Sequence, residues 1–522
     1  MEPRERRWLA WVTVSLLLAS LVPYLAAWAL APEGTRFTGL LFNPWDGNSY
    51  IAKIGQGFSG SWLFRLPYTP EPQSGAYIFL LHLALGHVSR LAGLPLILSY
   101  HLLRLAGGAV MLVGLYVLAC RLSDQVGERR LAFLLAAVGS GMGWLMAPLG
   151  VETADLWVQE AFPVYSLLAN AHFPLTIGLM CWIAAAGIVI ADPSASGGGG
   201  SKPVWGAVIA ISAIALGVIQ PFGLVPVFGG LGVMLAARAI RSRHISWPAV
   251  LWTAGAAVLA LPYPLYMQWA IRTDPILAAW NSQNVTPSPP IWDWIVSYGL
   301  LLAMAVPGAI RAVRKRADAG WLLLGWVAVT FVGMYAPLAL QRRLSLGLGA
   351  SVGLLAGVGW WQVARERVGR RRRLLVQRMV VALSALTPAF LLLAASLAPM
   401  LDGSLFYLED EEWAALLWLR ENADADSVVL CAPETGMFVP AWAGQPVVYG
   451  HPFETVEAEE REAQVLSFYQ GGMDPAEQAQ FLAESRVAYV LFGPRERALG
   501  DARAPGEPVF ESDGACIYRI DG

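Results

Sequence analysis

The stretch Tyr77-Ile-Phe-Leu-Leu-His-Leu-Ala-Leu-Gly-His-Val-Ser-Arg-Leu91 decides how the chain is threaded. It is apolar enough to pass for a membrane span, and counting it as one moves every later loop to the other side. A span needs roughly 20 apolar residues. Segments of that kind lie near 8–30, 97–120, 130–149, 172–191, 204–220, 222–239, 247–267, 291–310, 320–340, 345–364 and 376–398. With Tyr77–Leu91 left out, about eleven spans remain, and the basic clusters all fall on one side. These are Arg4/Arg6/Arg7, Arg121/Arg129/Arg130, Lys202, Arg238/Arg241/Arg243, Arg311/Arg314/Lys315/Arg316 and Arg365–Arg378. The excess of Lys and Arg marks the cytoplasmic face. Tyr77–Leu91, preceded by Pro67, Pro70 and Pro72 and carrying Gly86, His87 and Arg90, therefore reads as a helix lying in the interface.

Composition agrees with a membrane protein. Of 522 residues, 56% are hydrophobic and 14% charged, and mean hydropathy is +0.51. A soluble chain of this length needs more charge to cover its surface. The net charge of −2 hides an asymmetry, because from Asp402 onward there are 23 acidic residues against seven Arg and no Lys. Before that point 15 acidic residues face 29 basic ones. The basic residues sit in short clusters beside spans, which argues against a nucleic-acid groove. Trp8–Leu30 is too long for a signal-peptide core and reads as a retained first span with the N-terminus cytoplasmic.

The expected architecture is a polytopic α-helical membrane domain over 1–398 and a small extracytoplasmic α/β domain over 399–522. Loops 31–96, 150–171 and 268–290 face the same side as the tail, and Ser194–Lys202 is a Gly/Ser linker on the opposite one. In the tail, helices are expected at Glu411–Asn422, Glu454–Tyr469 and Pro475–Ser485. Strands are expected at Ser427–Cys431, Pro446–Tyr449, Val487–Phe492 and Ala515–Ile520. Cys120 and Cys181 read as packing residues, whereas Cys431 and Cys516 either pair or stay as buried thiols.

Chemistry points to Asn43-Pro44-Trp45-Asp46-Gly47-Asn48-Ser49-Tyr50, just after the first span. Asp46 is a candidate general base for an acceptor hydroxyl. Asn43, Trp45, Asn48 and Tyr50 supply the hydrogen bonds and apolar faces that sugars use together. The bland alternative is a turn in which Asp46 caps the next helix. That helix puts Tyr50, Ile51, Ile54 and Phe58 on one face, with Lys53 and Gln56 elsewhere. Arg342 and Arg343 break two apolar spans on the outer side, against the charge bias, and suit a lipid phosphate or ordinary snorkelling. Arg104 beside His101 is a second phosphate candidate. In the second outer loop, Asp155 and His172 are candidate substrate contacts, although Glu152, Asp155 and Glu160 match no metal spacing. Trp442, Tyr449, His451 and Phe453 suit an acceptor groove, a partner surface or a core. Asn284-Val285-Thr286 matches the glycosylation pattern, and P-loop, GxSxG, HExxH and CxxC motifs are all absent.

The order of these features resembles the GT-C superfamily of membrane glycosyltransferases, nearest the protein O-mannosyltransferase and lipid A aminoarabinose transferase branch. Asp46 follows the first span with Tyr50 and Ala52 in the helix after it. Pro70-Glu71-Pro72 leads into Tyr77–Leu91, and then comes Arg104-Leu-Ala-Gly-Gly ahead of Leu115–Leu122. The resemblance implies that Asp46 is the catalytic base and that the donor is a sugar on a polyprenyl phosphate. Gly47 stands where some members carry a second acid, so a divalent metal stays an open cofactor with no metal ligands assigned. The oligosaccharyltransferase signature Trp-Trp-Asp is absent.

The expected activity is inverting transfer from a polyprenyl-phosphate-linked sugar to a glycan, lipid or protein hydroxyl, on the outer face of a bacterial inner membrane. Rival classes are a flippase for lipid-linked glycans and a non-catalytic cell-envelope scaffold. The spans carry few acids and no internal repeat, which a transporter would favour.

Overall fold

The computed structural model describes residues 1–192, 202–315, 317–500, 502 and 505–520. Ser194–Ser201 of the linker and Arg316 of the fifth basic cluster lie outside the described residues. Nine described helices are long and apolar enough to cross a membrane, and a bent pair, Arg370–Ser384 with Leu386–Leu401, makes ten. The protein is a polytopic helical membrane protein. The remaining expected span, 320–340, is the shorter apolar helix Asp318–Met334, cut off where Tyr335 leaves the helical conformation. Leu80–Ala92 is a 13-residue helix and not one of the spans.

The chain divides into two compact units. One holds Met1–Pro23, His101–Leu265 and Val285–Ala395; the other holds Tyr24–Tyr100, Tyr266–Asn284 and Ser396–Gly522. The acidic tail thus shares its unit with the first long loop and with residues 266–284.

In the first unit, ion pairs tie together residues that the charge pattern placed on one side. Arg129 reaches Glu5 at 3.2 Å and Arg311 reaches Glu128 at 2.6 Å. Arg365 donates to Gln125 at 3.1 Å, and Arg238 and Arg241 both engage Asp318. These loops are neighbours, as a common face requires.

In the second unit, Pro44–Phe58 and Leu80–Ala92 cross at glycines. A Cβ on Gly57 would lie 2.1 Å from the Leu83 carbonyl oxygen, and one on Gly86 would lie 2.1 Å from that of Ile54. Only hydrogen at both positions lets the two backbones meet. Strand β1 (Thr35–Phe37) pairs antiparallel with β2 (Tyr407–Glu409), fastening the loop to the tail.

The tail is built on a four-stranded sheet ordered β3-β4-β6-β5, from β3 (Val428–Leu430), β4 (Val487–Phe492), β5 (Glu507–Glu511) and β6 (Cys516–Arg519). The β3–β4 pair is parallel and the others antiparallel. Helices Asp410–Asn422, Ala458–Tyr469 and Pro475–Glu484 fall where the pattern predicts them. Helix Pro433–Trp442 and strand β5 were not foreseen. Two prolines in Pro433–Trp442 hide a helix that starts with proline at its first position. Pro446–Tyr449 contributes only a parallel bridge from Val447 to Val429. One core of the unit joins Leu416, Leu419, Val429, Phe438, Leu491 and Ile517, with Trp45 packed against it. Cys431 and Cys516 are both free thiols.

Candidate functional site

Asn43 stands at the N-cap of Pro44–Phe58 in the left-handed region (φ 47°), which asparagine tolerates better than most residues. Proline follows at the first helical position, so Asp46 falls in the first turn. A carboxylate there is favoured by the exposed amides of the helix start. Asn43, not Asp46, is therefore the cap. Its Nδ2 donates to Asp46 Oδ2 at 2.5 Å.

The other Asp46 oxygen faces the tail. His451 Nε2 lies 3.3 Å from Asp46 Oδ1, the histidine side chain being 1% exposed and the aspartate 31%. Nδ1 of the same ring accepts the backbone N–H groups of Phe453 (3.1 Å) and Glu454 (3.2 Å). A ring nitrogen that accepts carries no proton, so the neutral ring bears its hydrogen on Nε2, toward Asp46. Nε2 is buried and not aligned as a formed hydrogen bond, a common state in a site without substrate.

Below this pair lies a buried ion pair. Lys53 Nζ donates to Glu454 Oε1 at 2.7 Å and to Ser49 Oγ, and Ser49 Oγ donates to the same Glu454 oxygen at 2.6 Å. The ammonium sits over Phe79 (4.4 Å), Tyr50 (5.2 Å) and Phe64 (5.5 Å), a desolvated cation–π box. Burial acts to raise the Glu454 carboxyl, but the Lys53 ammonium and the Ser49 hydroxyl outweigh it and hold it below the usual carboxylate range. Burial, with the charges of Glu454 and Asp46, pushes the Tyr68 phenol well above its ordinary value. Gln283 and Asn284 donate to the Phe453 carbonyl at 3.4 and 3.2 Å, which ties residues 266–284 to the same turn.

Other expected contacts turn out to build the unit. Asn48 is fully buried, donating to the Pro44 carbonyl at 2.9 Å and accepting Trp442 Nε1 at 3.1 Å. Trp45 sets its edge toward His451, with ring centres 6.3 Å apart. Tyr50 stacks on His82 at 4.8 Å. A cavity of about 680 Å³ opens in the same unit, lined among others by Gln56, Arg65, Glu71, Trp413, Arg420 and Trp442. Asp46 does not line it.

The remaining candidates belong to the other unit. Arg342 Nε lies 3.6 Å and Arg343 Nη1 4.0 Å from the buried Glu160 Oε1, and Arg342 also covers the Trp157 ring at 4.8 Å.

Arg104, expected to hold phosphate, is fully buried. It donates to the Leu167 carbonyl (2.7 Å), Ser20 Oγ (3.3 Å) and His101 Nδ1 (3.2 Å). Asp155, expected to contact substrate, accepts from Ser140, Thr153 and the amides of Gly141 and Gly143 within 3.2 Å. His172 is buried at the head of His172–Ala191, its ring 4.3 Å from Phe173. Arg104 and Asp155 thus bond protein groups, as buried polar side chains must find partners.

Sequence reasoning placed Lys53 off the buried face and assigned no role to Ser49 or Glu454. A lysine one turn after a serine in an otherwise apolar helix was the available signal, since such a charge needs a partner.

Asp46 and His451 could offer a metal two ligands, while Glu454 Oε1 is taken up by Lys53. Among the described residues no group of three or more His, Cys, Asp and Glu could hold a metal ion. The donor set does not fit one.

No family model matches the chain, and no curated protein matches it. Solved structures do. ArnT from Cupriavidus metallidurans bound to undecaprenyl phosphate is 12% identical with a TM-score of 0.55, over 97% of both chains. An oligosaccharyltransferase from Archaeoglobus fulgidus, in complex with Zn and sulfate, is 15% identical with a TM-score of 0.53, over 92% of this chain and 67% of that one. Arabinofuranosyltransferase AftD from Mycobacteria is 17% identical with a TM-score of 0.53, over 99% of this chain and 40% of that one. At such identities the likeness is one of fold, and the fold is that of the GT-C membrane glycosyltransferases.

Proposed function

On a chain with the GT-C fold, we propose a membrane glycosyltransferase that takes a sugar from a polyprenyl phosphate and passes it to an acceptor hydroxyl on the outer face of a bacterial inner membrane. One observation carries the reading. Asp46 is an ionisable acid held by side-chain groups on both oxygens, Asn43 and His451, yet 31% exposed. That exposed edge is where an acceptor hydroxyl would approach the carboxylate.

The proposed step is a single displacement. The acceptor oxygen attacks the anomeric carbon as its proton passes to Asp46, and the bond from that carbon to the phosphate oxygen breaks. The electron pair leaves with the polyprenyl phosphate, and the anomeric configuration inverts. Arg342 and Arg343 remain the sequence-based candidates for the departing phosphate, a group that guanidinium side chains suit. No step is routed through a metal. Arg104, His172 and Asp155 are left out of the step because all three are buried.

The test uses purified protein in proteoliposomes with undecaprenyl phosphate carrying radiolabelled glucose, mannose or arabinose. Sugar released to water or passed to an added acceptor supports the enzyme. Movement across the bilayer without bond cleavage replaces it with a flippase, and neither outcome replaces it with a scaffold.

A further inference from the structure

We propose that His451 is the positioning residue for Asp46, presenting Nε2–H to the carboxylate so that its plane is held for the incoming hydroxyl. The proposal rests on Asp46 being the base. It adds a residue some four hundred positions away, set by the tail and not by the loop that bears the acid.

The turn after His451 imposes the ring's tautomer. Thr455 N–H donates to the His451 carbonyl at 3.0 Å, and Thr455 Oγ1 accepts the amides of Gly450 and His451 at 3.3 and 3.2 Å. This closed turn aims the Phe453 and Glu454 amides at Nδ1. Placing a proton on Nδ1 would break both bonds, so Nε2 is the nitrogen that donates. Rotation of the ring is blocked by Trp45, Tyr68 and Phe453, with centres 6.3, 5.5 and 6.3 Å away.

The charged and titratable groups around the ring fit this assignment. Asp46 faces it from Pro44–Phe58, Tyr68 from the loop after that helix, and Glu454 from the turn itself. Tyr68 stays a neutral phenol, donating to the Met437 carbonyl at 3.3 Å. Lys53 neutralises Glu454 from beneath. The ring therefore has Asp46 as its outlet.

A carboxylate on a short side chain turns freely about its last bond unless both oxygens are engaged. Asn43 holds Oδ2 and His451 stands at Oδ1. Misplacement of a reacting group by an ångström costs about 10²-fold in rate, which sets the scale of the effect.

Two substitutions separate positioning from folding. In His451→Asn the short amide can still accept the Phe453 and Glu454 amides but cannot reach Asp46. In His451→Gln the terminal amide reaches the place of Nε2. With the proteoliposome donors above, His451→Asn is expected to lower kcat by about tenfold to hundredfold at unchanged KM, and His451→Gln to recover most of it. Nitrogen NMR of histidine-labelled protein in nanodiscs gives a readout independent of turnover. The signal lost in His451→Gln should show a protonated Nε2 and an unprotonated Nδ1. A protonated Nδ1, or wild-type kcat in His451→Asn while Asp46→Asn is inactive, overturns the proposal alone. Full turnover by Asp46→Asn removes the base assignment, and the proposal with it.

Discussion

Asp46 and Asp155 are both acids in the first turn of a helix, both in loops that the charge pattern puts outside. The structure separates them by the kind of donor each one meets. Asp155 is 1% exposed, and backbone amides of Gly141 and Gly143 with the hydroxyls of Ser140 and Thr153 take up its oxygens. The loop is shaped around it, since a Cβ on Gly143 would sit 2.7 Å from Oδ1. Asp46 meets side chains, Asn43 and His451, and keeps 31% of its surface open. A carboxylate wrapped in amides is spent on folding, whereas one steadied by side chains at the edge of solvent keeps a face open to substrate.

The sharpest way to break this contrast is Asp46→Asn. It is expected to lower turnover by about 10²–10⁴-fold while thermal unfolding in detergent stays within a degree or two of the parent. A large stability loss with unchanged turnover per folded molecule would place Asp46 in the same class as Asp155. Next comes Lys53→Met, which strands the buried Glu454 and should cost about 3–5 kcal/mol of stability. Pairing it with Glu454→Gln should restore most of that in the same unfolding assay, and no restoration would show that the pair is not a unit. Asp155→Asn is expected to destabilise by about 1–3 kcal/mol for the amide donors it leaves unmatched, with kcat per folded molecule unchanged. A pure kcat loss there would erase the distinction.

The smallest effect is a pH limb. The Glu454 carboxyl is lowered in the folded protein, so its contribution is present above the unfolded value of about 4.3 and fades as pH falls through the lower folded value. The unfolding midpoint should decline more steeply below about pH 4.3 in the parent than in the Lys53→Met/Glu454→Gln double variant. Equal slopes would remove Glu454 from the acid response.

Much of the architecture was legible because its causes are local. The spans follow from the length of each apolar run, and the arginines between them ion-pair with Glu5, Glu128 and Asp318. The shortfall at 320–340 came from counting apolar residues beyond Met334, where the helix stops. The helix after Asn43 was readable from proline at its first position, and strand β4 from an uninterrupted apolar run. Lys53 was misread because helical periodicity ranks it polar, while a buried anion from the tail makes the interior its better place. Arg104, Asp155 and His172 carried the right chemistry for a site, but all three are buried by packing between segments distant in the chain.

The sequence by itself determined that the chain lies in a membrane and where most of its helices form. Those properties reside in runs of neighbouring residues, through transfer of side chains from water and the capping needs of a backbone. Only the tertiary structure decided that His451 faces Asp46, that Glu454 balances Lys53, and that Asp155 is closed off. Each of those outcomes depends on packing between segments distant in the chain, where burial makes a partner obligatory and pattern alone does not say which one arrives.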